Sequence, residues 1–203
     1  MAAPVLVPAS MSALFAVLAR RQPPRRAYNV GFGAYWLGWC LAFPLWAIGP
    51  RRAIGVLTRG RRPAAGDAVA LLLPVLGAAA SELFPHRRLV RGRVLAVMAT
   101  TAAVNAAAEE MLWRGVFLEE FPDDPVLGSL WPLAGFSVWH LAPQIVLPSR
   151  FGRVGFLLAA TAVGAGSARV AWRTGGLRWV LLPHAATDFC GVTAARFRLD
   201  GTR

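Results

Sequence analysis

Seven ionisable side chains lie inside runs that are otherwise apolar: Glu109, Glu110 and Arg114, then His140, then Arg169, then His184 and Asp188. Placing a charged group of this kind at the centre of a membrane helix costs about 2.5–3.5 kcal/mol on insertion scales, so such residues mark functional sites by default. Hydrolysis of an amide needs an activated water and a stabiliser for the developing oxyanion. A glutamate buried away from water is suited to the first task, because desolvation disfavours its charged form and makes it a better proton acceptor. On this reading a buried Glu is the base, His140 orients the same water or relays a proton, and His184 with Asp188 holds the oxyanion or completes the site. The same four groups, Glu109, His140, His184 and Asp188, could instead ligate one divalent metal such as zinc, since imidazole and carboxylate both suit it. The HExxH signature of helical zinc proteases is absent. A Cys190 nucleophile paired with His184 has no supporting spacing.

Helical spacing sorts these residues. Glu110 and Arg114 are four apart and share a face, so they can pair. His184 and Asp188 are four apart as well and can point at one cavity, while Glu109 is turned about 100° from Glu110. Structural readings stand beside the chemical ones. Glu110 and Arg114 could be only a neutralised pair, a buried histidine could bridge helices, and Asp188 could pair with Arg169. The third histidine, His86, adjoins Arg87 and Arg88 and reads as a solvated loop residue.

The elements that position these groups read as membrane helices. The chain has 203 residues, 56% hydrophobic, with a mean hydropathy of +0.49, and its apolar residues fall in blocks of about 18–25, the length that crosses a bilayer. Spanning helices satisfy their own backbone hydrogen bonds, which predicts an all-α, multi-pass transmembrane bundle. Six spans are expected, at 30–50, 66–85, 94–118, 126–147, 154–172 and 177–195, with a short retained helix near 5–19 that adds a partial or interfacial segment. Residues 1–203 read as a single membrane domain.

The helical rise of about 1.5 Å per residue places Glu109 roughly 14 Å and His140 roughly 21 Å from the acidic loop at 119–124. It places His184 and Asp188 roughly 11 and 17 Å from the turn at 173–176. With alternating spans, all four fall in one slab near the membrane middle.

All 22 basic residues are Arg, and they flank the apolar blocks. That distribution meets anionic headgroups and sets topology, and it argues against nucleic-acid binding despite the net charge of +12. Alternation of the last four spans gives nine Arg on one side against two on the other, with Arg20–Arg26 and Arg51–Arg62 expected on opposite sides of the first span. Cys40 and Cys190 are isolated in apolar stretches and suggest no disulfide framework. Ala160, Gly164 and Ala168, at four-residue spacing, read as a helix-packing stripe.

Three motifs then carry a resemblance. Glu109-Glu110-Met-Leu-Trp-Arg114 matches EExxxR, Phe136-Ser-Val-Trp-His140 matches FxxxH, and His184-Ala-Ala-Thr-Asp188, behind the tract Trp172–Trp179, matches HxxxN/D. In this order, on three apolar spans, they resemble the CPBP family of intramembrane proteases, also called the CAAX protease and bacteriocin-processing (Abi) family. The resemblance covers residues 94–195 and leaves 1–93 unassigned. It implies an intramembrane endopeptidase like the type II CAAX prenyl proteases, with Glu109 and His140 activating water, His184 and Asp188 stabilising the oxyanion, and Glu110 and Arg114 organising the site. The family is described both as metal-dependent and as metal-free glutamic-type, so the cofactor expectation is none or one divalent metal. Asp188 departs from the Asn common at that position, and a carboxylate donates to an oxyanion only when protonated. Expected partners are membrane lipids and a peptide or protein substrate, a lipid-modified one included; the expected location is the plasma membrane of a bacterium. The competing readings are a non-catalytic scaffold or bacteriocin-immunity protein of the same fold, and an ion or proton carrier using the same carboxylates.

Overall fold

A computed structural model describes residues 2–191. Among them the regular structure is all helical: α1 (Ala3–Arg21), α2 (Pro24–Ala47), α3 (Gly49–Thr58), α4 (Ala65–His86), α5 (92–120), α6 (126–139), α7 (Gly152–Thr174) and α8 (Leu181–Gly191). Helices α2, α4, α5 and α6 each contain a wider π-helical stretch, at 35–42, 79–83, 111–115 and 126–130. Such wide turns recur at functional sites, and here two of them hold Tyr35 and Arg114.

The expected count of six spans is not confirmed. Four helices are long and apolar enough to cross a membrane: α1, α2, α4 and α7. The N-terminal helix is therefore a full candidate span. Its stripe of Ala3, Val7, Met11 and Phe15 is buried, and α1 packs against α6 and α2. By contrast α5 holds Glu109, Glu110 and Arg114 within its length, and α8 has 11 described residues, against the roughly 20 apolar residues a span requires. The fourth expected span stops at Trp139, well short of 147. From His140 to Ala142 the backbone tightens to bonds three residues back, at 3.3, 3.0 and 2.9 Å, and Pro143 has no N–H to continue the ladder. The end of the sixth expected span lies outside the described residues.

The helix ends fall into two layers. At one end Arg52 Nε pairs with Glu119 Oε2 at 2.8 Å, and Arg59 both pairs with Glu119 and donates to the Gly175 carbonyl at 2.8 Å. Gly175 closes α7 at φ +74°, a left-handed turn that favours glycine. At the other end Arg150 pairs with Glu82 at 2.6 Å. Arg51–Arg62 therefore share the acidic-loop end, with Arg173 and Arg178, while Arg20–Arg26 lie at the opposite end with Arg87–Arg93, Arg150 and Arg153. Among the described residues the connections of the last four expected spans hold six Arg at one end against two at the other, and Arg20–Arg26 with Arg51–Arg62 bring the totals to ten against seven. Arg196, Arg198 and Arg203 lie outside them.

Large apolar side chains such as Trp46, Leu76, Val154, Leu158 and Leu182 face outward, as on a surface that meets lipid. This is an integral membrane protein.

Candidate active site

Helix α5 sets the site. Its positions 97, 101, 105 and 109 recur every four residues and line one wall of a cavity of about 380 Å³, which α2 faces with Phe32 and Trp36. Trp139, His140, Pro143 and Phe156 supply the floor, and Asp188 enters from α8. From Val97 to Glu109 the wall runs about 18 Å along α5. Arg25, Pro143 and Leu147 lie toward its basic end.

Glu109 is 1% exposed. Its Oε1 accepts two hydrogen bonds, from the Tyr35 hydroxyl at 3.2 Å and from Trp139 Nε1 at 2.9 Å. Tyr35 in turn accepts from Trp113 Nε1 at 2.7 Å, and its ring stacks on Trp139 with centroids 3.8 Å apart. The other oxygen, Oε2, has no hydrogen-bond partner. A buried acceptor left over in this way suits a ligand or water.

His140 ends α6 and lines the cavity. Its Nδ1 lies 2.7 Å from the Phe136 carbonyl; a carbonyl only accepts, so Nδ1 carries a proton and a neutral ring keeps Nε2 as an acceptor. The ring lies between Phe136 and Phe156, with centroids 4.5 and 5.8 Å away.

His184 is buried behind this cavity and does not line it. Both its nitrogens face carboxylates: Nδ1 is 2.6 Å from Glu110 Oε1, while Nε2 is 3.6 Å from Glu109 Oε2 and 3.6 Å from Asp188 Oδ1. Glu110 also meets Arg114 Nη1 at 3.4 Å, as the i, i+4 spacing predicts, and Arg114 Nη2 donates to the Gly164 carbonyl at 3.0 Å while the guanidinium covers the Phe136 ring. The Gly164 stripe thus does more than let helices approach. Taken with a neutral imidazole, three carboxylates and one guanidinium leave two negative charges uncompensated, so a neutral cluster shares two protons among His184 and the carboxyls.

Arg169 is corrected as a partner for Asp188. Its Nε bonds Asp67 Oδ1 at 3.0 Å, and Asp188 Oδ2 accepts from Asn105 Nδ2 at 2.9 Å instead. His86 closes α4, with its ring Nδ1 2.8 Å from the Glu82 carbonyl. Asn105, Tyr35, Trp36, Trp113 and Trp139 escape the sequence reading. Only Asn105 leaves a signal, as a polar residue four before Glu109 in an apolar helix.

As a test of the metal alternative, no three His, Cys, Asp or Glu side chains among the described residues converge to hold one ion.

Residues 91–190 match the family model described as type II CAAX prenyl endopeptidase Rce1-like. Over this segment, just under half of the chain, the protein is similar to the Rce1-like family. The matched segment holds the EExxxR, FxxxH and HxxxD residues and agrees with the resemblance they carry. It omits α2, which supplies Tyr35 and one cavity wall. No curated protein and no solved structure matches the chain.

Proposed function

We propose that this Rce1-like chain is a multi-pass intramembrane endopeptidase that hydrolyses a peptide bond with water activated by Glu109 and His140. The observation that carries the reading is the division of labour on one carboxylate: Tyr35 and Trp139 fix Oε1, while Oε2, 3.6 Å from His184 Nε2, accepts no hydrogen bond, in a residue that lines the cavity. A substrate water bonded to Oε2 loses its proton there as its oxygen attacks the carbonyl carbon. His140 Nε2 accepts the second hydrogen of that water and aims it. His184 sits behind Glu109 and Asp188, and Glu110 with Arg114 holds His184 in turn, so these residues position the reacting carboxylates.

The substrate is a peptide or protein segment at the membrane, and the aromatic walls from Phe32, Trp36, Trp139 and Phe156 suit a lipid-modified one, as the family's name suggests. Catalysis follows the glutamic-type scheme.

The test is cleavage of a peptide library by purified protein in detergent. Glu109→Gln, which keeps the shape and removes the base, is expected to lower kcat by about 100-fold or more. A chelator is expected to leave the wild-type rate within about twofold, since no step uses a metal. Undiminished cleavage by Glu109→Gln rejects the reading. Loss of activity on chelation, restored by zinc, rejects its metal-free part.

A further inference from the structure

Acyl transfer needs a donor aimed at the oxygen that becomes negative in the tetrahedral intermediate. The inner wall of the cavity offers few, and nearly all are committed. Trp139 and Tyr35 donate to Glu109, and His140 Nδ1 donates to the Phe136 carbonyl. Trp36 Nε1 donates to Asn105 Oδ1 at 2.9 Å. His184 turns both nitrogens toward carboxylates, and Asp188 is itself an acceptor. Thr101 lines the same wall, but it lies eight residues before Glu109, about 12 Å along the helix.

Asn105 remains. An indole N–H only donates, so the Trp36 bond fixes which end of the amide is oxygen. The Nδ2 end carries two hydrogens and gives one to Asp188. The second is uncommitted, one helical turn from Glu109, in a side chain held at both ends. We infer that Asn105 is the oxyanion donor of the proposed reaction, oriented by Asp188 and Trp36. This rests on the protease reading. Water oxygen bonds to the carbonyl carbon, the carbonyl π pair moves onto oxygen against the Asn105 N–H, and the water proton passes to Glu109. When the oxyanion collapses, the C–N bond breaks and the amine leaves with that proton. Asp188 then needs no proton of its own, because it acts by holding an amide.

The experiment compares kcat and KM for wild type, Glu109→Gln, Asn105→Asp and the exchange variant Asn105→Asp/Asp188→Asn in peptide cleavage. Asn105→Asp keeps the shape but has no N–H, and is expected to lower kcat by about 100- to 1000-fold with KM changed less than about threefold. The exchange variant rebuilds an amide–carboxylate pair across the same gap and is expected to recover to within about tenfold of wild type. It also covers the case in which two facing carboxylates prevent folding of the single variant. Should Glu109→Gln be inactive while Asn105→Asp keeps the wild-type kcat, the Asn105 assignment alone falls. An exchange variant that melts like wild type and stays inactive also overturns it. Equal cleavage by Glu109→Gln and wild type removes both readings together.

Discussion

Glu110 and Arg114 illustrate how strongly a single contact is constrained away from water. Their side chains are 0% and 3% exposed and 3.4 Å apart, and removing one partner of such a buried pair typically costs about 3–5 kcal/mol because the other is left uncompensated. Replacing both together removes the stranded charge. Glu110→Gln and Arg114→Met are each expected to lower the melting temperature in detergent more than half as much as the double variant does. The resulting coupling energy is expected to exceed about 1 kcal/mol. Strict additivity in that cycle would show that the two side chains do not support one another. The same argument explains why His184, bonded to Glu110 at 2.6 Å, is better placed to hold carboxylates than to meet a substrate.

Helix α7 shows how an element with no acidic or basic group in the cavity still shapes the site. A Cβ on Gly164 would fall 2.7 Å from the Phe136 ring and 2.8 Å from Leu133, and Phe136 lies under the Arg114 guanidinium that bonds the Gly164 carbonyl. Crowding a packed interior in this way costs about 1–3 kcal/mol. Gly164→Ala is therefore expected to melt lower than wild type and to lose activity as Arg114 shifts. Gly77→Ala on α4, where nothing lies within 4 Å of the added carbon, serves as the comparison and is expected to be neutral or stabilising by up to about 1 kcal/mol. If the two variants melt alike, close packing of α7 on α6 is not what holds Arg114.

Across the whole molecule, the helix ends sort into two layers about a central site. Arg21 and Asp123 belong to opposite layers, so single cysteines at these positions are expected to react with a membrane-impermeant maleimide from opposite sides of oriented vesicles. Native Cys40 and Cys190 are buried and should label slowly. Labelling of both positions from one side would contradict the arrangement. Among the described residues the ten-to-seven division of Arg is a small charge asymmetry, and the acidic loop binds Arg52 and Arg59.

Hydropathy blocks and the cost of intramembrane charge were enough to read an all-helical membrane protein from the chain alone, and motif spacing picked out Glu109, Glu110, Arg114, His140, His184 and Asp188. Those signals are local: periodicity reports which residues share a face, and composition reports which solvent a helix meets. The partners of those residues were decided by packing between segments far apart in sequence. Tyr35 reaches Glu109 across 74 positions and Asn105 reaches Asp188 across 83, and neither distance leaves a trace in spacing. The ending of α6 at His140, the pairing of Arg169 with Asp67 and the withdrawal of His184 from the cavity have the same origin. Each depends on where a neighbouring helix places its donor or its charge.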